Sequence, residues 1–346
     1  MSRTGSDDEQ IIPHPRETVD LQGHGSAERT LLEAYRSGRM PHAWLIGGRS
    51  GLGKATLAYR LARFLLAHPD PRSVSVQTAE SLRVEAAHPA ARRIAAQAHS
   101  DLLVLQRTVG DNDKLRSVIT VDEVRRTVSF FGSTAGEGGW RVCIVDSADE
   151  LQNPQGANAL LKIIEEPPPR SLFLLVSHAP GGLLPTIRSR CRHIHLRPLD
   201  ATDLVRAAAA VSGRTEQDAD LRAAAEAADG SVGRALALLE GPSLALRARV
   251  NALLAGLPNV DARALHALGD EISGTDAGLL NAFMDTVREW LSARLTVPGQ
   301  ELRRLAAAAE VWEKVNAAAR DVEIYNLERK PLVFSVFGLL ADTARR

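Results

Sequence analysis

The feature that most constrains this chain is a glycine-rich segment set between an apolar strand pattern and a helical one. Ala43-Trp44-Leu45-Ile46 runs into Gly47-Gly48-Arg49-Ser50-Gly51-Leu52-Gly53-Lys54-Ala55-Thr56, and residues 54–67 read as a helix. Glycines let a backbone fold around phosphate with its N–H groups pointing inward. The helix that follows adds its positive end, and a lysine at its start reaches the β- and γ-phosphates. Gly48, Gly53 and Lys54 satisfy the spacing GxxxxGK, with Gly51 inside the loop. The next position, where a Ser or Thr hydroxyl ordinarily holds Mg²⁺, is Ala55. Thr56 comes one place late and points about 100° away on a helix. The expectation is a degenerate nucleotide site built from Gly48, Gly51, Gly53, Lys54 and Thr56, of phosphate-binding ancestry but without Mg²⁺-dependent catalysis.

A second motif belongs to the same site. The apolar run Val142-Cys143-Ile144-Val145 ends in Asp146, as a buried strand delivering a carboxylate toward Mg²⁺ would. Where a hydrolytic P-loop protein places a water-activating acid just after that aspartate, this chain has Ser147. Asp149 and Glu150 come too late to replace it and read as solvated charges at a helix start. Further on, Ser189-Arg190-Cys191 follows another apolar strand, Phe173-Leu174-Leu175-Val176. An arginine exposed beyond such a strand can complete the ATP site of an adjacent subunit. Arg188 and Arg192 flank it, and strand alternation would put all three on one face, so spacing alone does not select Arg190. The combination suggests a partner of an ATPase more than an ATPase.

Leu31, Leu32 and Tyr35 recur at helical spacing, residues 100–105 resume strand character, and Val121 to Phe131 reads as an amphipathic helix. Strands alternating with helices argue for a parallel α/β sheet up to about residue 197. Residues 68–100, rich in Ala, Arg and His, read as helices in an insertion. Beyond Pro198 the strand signal stops. Residues 1–10 read as a disordered lead, 11–198 as the α/β domain, 199–242 as a small helical domain ending at Gly241-Pro242, and 243–346 as a longer helical one.

Formal net charge is +0, so no global basic field points to nucleic acid, and any DNA contact has to be local. No apolar stretch approaches 18 residues and no signal-peptide pattern is present at the N-terminus, so no membrane partner is expected. The only cysteines, Cys143 and Cys191, fit a reducing cytoplasm better than a disulfide scaffold.

Asn158-Ala159-Leu160-Leu161-Lys162-Ile163-Ile164-Glu165-Glu166-Pro167-Pro168, followed by FLLVSHAP and LLPTIRSRC, resembles the AAA+ subunits of the bacterial DNA polymerase III clamp loader. PHAWLIGGRSGLGK before and through the loop strengthens the likeness, which covers most of residues 20–198. The resemblance implies an AAA+ P-loop α/β domain, a small helical lid and an all-helical C-terminal collar. Of the two kinds of subunit, the ATP-hydrolysing gamma/tau motor carries GKT or GKS and an Asp-Glu pair; Lys54-Ala55 and Asp146-Ser147 look like delta-prime, with the gamma/tau motor as the alternative.

The likeness further implies that Arg190 is a finger presented in trans to a neighbouring gamma/tau subunit's ATP, and that Asp146 is the Walker B aspartate. It implies a non-catalytic subunit of a DNA-directed DNA polymerase (nucleotidyltransferase) holoenzyme, binding ATP or ADP weakly. Its partners would be gamma/tau and delta subunits, the sliding clamp, and primed DNA through the complex. Many relatives carry a four-cysteine zinc module after the loop's helix; no cysteine precedes residue 143 here, so no zinc is expected. His68, His88 and His99 read as surface residues. The sensor-1 position falls on Ser177 or His178. Where active relatives place a sensor-2 arginine this chain has Gly233, one residue before Arg234, which puts such a role for Arg234 in doubt.

Overall fold

The computed structural model describes residues 13–110, 116–132, 139–239, 243–274, 277–295, 310–315, 317–319, 321–322 and 327–345. The expected lead over residues 1–10 and the Gly241-Pro242 break lie outside them. The chain forms two compact units, Met1–Leu236 and Ala237–Arg346.

In the first unit, helix α1 (Gly25–Arg36) precedes strand β1 (Ala43–Gly47), and α2 (Lys54–Ala67) follows the glycine loop. The 68–100 insertion holds two short helices, α3 (Val74–Gln77) and α4 (Pro89–Ala95). Then come β2 (Leu102–Leu105), α5 (Val121–Gly132), β3 (Arg141–Val145), α6 (Gln155–Glu165), β4 (Ser171–Ser177), α7 (Pro185–Arg188) and β5 (Arg192–His195). The strands form one parallel sheet in the order β2-β3-β4-β1-β5. The fifth strand is the element that apolar patterning does not announce: Arg-His-Ile-His has one buried residue, because β5 is an edge.

Period-two alternation sorts the inner strands onto two cores. Trp44, Ile46, Val142, Ile144, Leu172 and Leu174 pack with α1, α2 and α4 on one face. Ala43, Leu45, Cys143, Val145, Phe173 and Leu175 pack with α5, α6 and α7 on the other. Burial on both faces is why these strands read as continuous apolar runs. The register pairs Gly47 with Ser177 and Val145 with Leu175, so the glycine loop, Asp146 and residues 178–179 all leave the sheet at its carboxyl edge, where open α/β sheets bind ligands.

Two buried arginines on α2 fasten the residues that precede α1. Arg60, 3% exposed, pairs with Glu28 and donates to the Val19 carbonyl. Arg63 donates to the carbonyls of Thr18 at 3.2 Å and Arg16 at 2.7 Å. Beyond β5, α8 (Ala201–Ser212), α9 (Ala219–Ala227) and α10 (Val232–Leu239) follow. Asp200 and Asp218 cap α8 and α9 by accepting from backbone N–H groups, which satisfies donors a helix start leaves free.

The second unit contains α11 (Ser243–Ala255), α12 (Ala262–Ile272), α13 (Ala277–Leu295) and α14 (Arg329–Arg345). Leu246, Val250, Phe283, Val287, Val336 and Phe337 belong to its own buried core. Among the described residues no helix is long and apolar enough to cross a membrane.

Candidate functional site

The glycine loop folds as its spacing predicts, and its lysine turns inward. Gly53 adopts φ +81°, which lets α2 begin at Lys54. Lys54 is 3% exposed, and its Nζ donates to the carbonyls of Gly48 at 2.7 Å and Arg49 at 2.5 Å. Burial lowers its pKa to about 8, against the opposing pull of Asp149 and Asp146. From the other side α10 closes on the loop: Gly233 N–H donates to the Gly51 carbonyl at 2.9 Å, and Ser231 Oγ to the Ser50 carbonyl at 3.1 Å. Arg234 is turned toward Asp229, 3.5 Å away. Thr56, with Leu52 and Gly53, borders a mainly apolar cavity of about 250 Å³ walled by Leu21, Leu199 and Val232.

These residues fit a nucleotide's base and phosphates, provided the ammonium leaves its loop carbonyls. They do not fit Mg²⁺ in the usual way, because Ala55 has no hydroxyl. Among the described residues no group of three or more His, Cys, Asp or Glu could hold a metal ion.

Asp146 follows β3, with burial raising its pKa against the lowering influence of His178 and Lys54. The next residues correct the sequence reading. Asp149 is not merely a solvated charge at a helix start, although it keeps access to solvent. It accepts from Ser147 Oγ at 2.9 Å, Ser177 Oγ at 2.7 Å, His178 N at 2.5 Å and Ala179 N at 3.3 Å. Burial pushes its carboxyl up, but the four bonds outweigh this and hold it below its ordinary value. The cause is tertiary: β3 pairs with β4, and a 3-10 turn at Ala148–Glu150 swings residue 149 against the end of β4. The hydroxyl at position 147 therefore donates to a carboxylate where a hydrolytic relative would present an acid to water. Ser177, one of the two candidates for the sensor-1 position, is fully buried within this network, and the backbone of the other, His178, joins it. Glu150 pairs instead with Arg107 at 2.9 Å.

The three arginines near residue 190 do not share a face, contrary to the strand alternation expected for them. Arg188 ends α7, Arg190 lies in the following turn and Arg192 opens β5. Arg188 donates to the Gly181 carbonyl at 3.1 Å, and Arg192 lies over the Trp44 ring at 5.5 Å from its centroid. Arg190 is 38% exposed, donates to the Thr186 carbonyl at 3.0 Å and meets Glu165 at 2.7 Å. Because Arg192 pairs with Trp44 and His195 with Gly47, Arg190 precedes the sheet's amino edge. The cradle begins past its carboxyl edge, roughly 10 Å of strand away. Cys191 is buried, which pushes its thiol up to about 12, and burial raises Cys143 further. The histidines also depart from expectation: His99 is buried, and His68 and His88 are half-buried with ring centroids 6.1 Å apart.

A parallel sheet ordered 2-3-4-1-5, with a phosphate loop after β1 and an aspartate after β3, defines a P-loop α/β domain of the AAA+ class. The family described as DNA polymerase III, delta subunit matches residues 23–200, more than half of the chain, and the chain belongs to that family of clamp-loader subunits. DNA polymerase III subunit delta' of Pseudomonas aeruginosa is 38% identical over 150 residues, covering 43% of this chain and 41% of its own length. The Escherichia coli delta' is 34% identical over 236 residues, covering 67% and 64%. A gamma/tau subunit of Mycobacterium tuberculosis is 31% identical over 187 residues, covering 54% of this chain and 29% of its own length. The chain thus spans less than two thirds of the length of each of these relatives.

Proposed function

We propose that this chain is the delta-prime-type subunit of a DNA polymerase III clamp loader, deficient in ATP hydrolysis and lending Arg190 to the ATP of a neighbouring gamma/tau subunit. The observation that supports the reading is the placement of Arg190: half-exposed and beyond the sheet edge opposite the chain's own cradle, away from any nucleotide held there. Its planar fork suits a γ-phosphate whose charge redistributes during transfer, and such a finger is worth roughly 10³ to 10⁵ in rate. The chain's own cradle is poor in catalytic parts. Ala55 offers no Mg²⁺ ligand, Ser147 is bound to Asp149, and Lys54 is bound to loop carbonyls. ATP or ADP binds there weakly, if the ammonium swings out. The α8–α10 segment serves as lid. The second unit, with a core of its own, serves as the collar that keeps gamma/tau and delta subunits together while the ring-shaped clamp is placed on primed DNA in the cytoplasm.

The test is Arg190→Ala in the reconstituted loader. Assembly stays intact, DNA-stimulated ATP turnover falls in part because one site of several is affected, and clamp loading falls with it; Arg190→Lys rescues poorly. Unfolding, or failed assembly with normal loading by whatever complex forms, would sink the trans-acting role. ATP turnover by the pure chain at a motor's rate, abolished by Lys54→Ala, would support the gamma/tau reading instead.

A further inference from the structure

Glu165 is the last residue of α6, and Pro167-Pro168 follow. A proline disfavours helical backbone in the residue before it, so α6 stops where Glu165 faces the turn ahead of β5. There Glu165 Oε1 stands 2.7 Å from one terminal nitrogen of Arg190, while the Thr186 carbonyl accepts from the other at 3.0 Å. Two acceptors from two separate elements, α6 and α7, thus grip one planar group. The Thr186 carbonyl takes one of its five N–H donors, Glu165 holds the group as an ion pair, and donors remain for a ligand.

An ion pair with both side chains about 40% exposed contributes little to folding, so stability does not account for it. Orientation does. An arginine ordered before its ligand arrives has less freedom to lose on engaging a developing charge. We propose that Glu165 is the positioning residue of Arg190, presetting its guanidinium toward the terminal phosphate of a nucleotide on a neighbouring subunit. The inference rests on Arg190 acting in trans, as proposed above. Because Glu165 meets Arg190 through one oxygen at one terminal nitrogen, carboxylate and phosphate can be held at once, and the pair need not break for Arg190 to work.

The experiment uses the full chain in the reconstituted loader and compares Glu165→Ala, Glu165→Gln, Arg190→Ala and the Glu165→Ala/Arg190→Ala double variant. The quantity read is the part of ATP turnover that Arg190→Ala removes. Glu165→Ala lowers that part roughly three- to tenfold through kcat, with KM for ATP and assembly unchanged. Glu165→Gln, which keeps the acceptor oxygen, restores most of it, and the double variant is no slower than Arg190→Ala. Full turnover in Glu165→Ala beside a slow Arg190→Ala overturns this proposal and leaves the trans-acting arginine standing. Losses that add in the double variant place Glu165 on a different path and overturn it too. Arg190→Ala at the wild-type rate removes the trans-acting arginine itself, and this proposal with it.

Discussion

The amide of Gly233 donates to the carbonyl of Gly51 at 2.9 Å, so the first turn of α10 rests on the phosphate loop backbone to backbone. A Cβ on Gly233 would stand 2.9 Å from the Gly51 Cα, and one on Gly51 would stand 2.2 Å from Ser231 Oγ. Neither position has room for a side chain. Where the family resemblance implies an arginine reaching for phosphate, this chain has a direct contact that closes α10 on the loop.

Gly233→Ala should therefore destabilise the first unit by about 1–3 kcal/mol, the usual effect of forcing a methyl group into a filled contact. Gly181→Ala is the control, since a Cβ there meets nothing within 4 Å, and it should change stability by less than about 0.5 kcal/mol. Denaturant titration of the two variants decides the matter. Equal midpoints would mean that α10 does not rest on the loop in solution.

Asp149 gives a prediction with a pH window. Its carboxylate is stabilised in the folded state by four hydrogen bonds, which hold its pKa below the ordinary value. A depressed carboxylate pKa contributes stability above the unfolded value of about 3.9, and that contribution is lost as pH falls through the folded one. Asp149→Ala should destabilise by about 1–2 kcal/mol at pH 7, a figure already reduced for the residue's solvent access. The gap from wild type should hold steady down to about pH 5 and narrow below it. Denaturant titrations across that range would show it, and a gap that widens with acid would remove the carboxylate bonds as its source.

Glu28 supplies the third prediction. One of its oxygens accepts from Arg60 Nε at 3.1 Å and from the Leu82 amide at 2.9 Å, with Arg60 and Glu28 only 3% and 8% exposed. Glu28→Ala strands a buried guanidinium, which costs about 3–5 kcal/mol, whereas a Glu28→Met/Arg60→Met pair should recover much of the loss. Thermal melts of both variants test this. A single variant within about 1 kcal/mol of wild type would show that water reaches Arg60 freely. Since Arg60 also holds Val19, which walls the cavity beside Thr56, the single variant should loosen that wall as well.

The elements of the sheet domain are legible in the sequence because burial patterns are local. Trp44 and Leu45 face opposite cores one residue apart, and the glycines of the loop announce a backbone that only they adopt easily. The same locality shows where the chain departs from the pattern of a hydrolytic P-loop protein, at Ala55 and Ser147, since each is defined by its offset from a neighbour in the chain. β5 is harder to read, because an edge strand buries little and its Arg-His-Ile-His run has no apolar signature.

What the tertiary structure alone decides is which of those residues meet. Asp149 reads as a loose charge until β3 lies beside β4 and brings it to Ser177 and the amides that follow. Arg190 cannot be told from Arg188 and Arg192 by spacing. The chain turns from helix to strand across them, tying one to Gly181 and another to Trp44 and leaving the third at the edge with Glu165. Gly233 and Gly51 are 182 positions apart and touch through their backbones. Composition and periodicity fix how a segment folds against its own neighbours. Strand order and register fix contacts between distant segments, and both arise only when all the strands are in place.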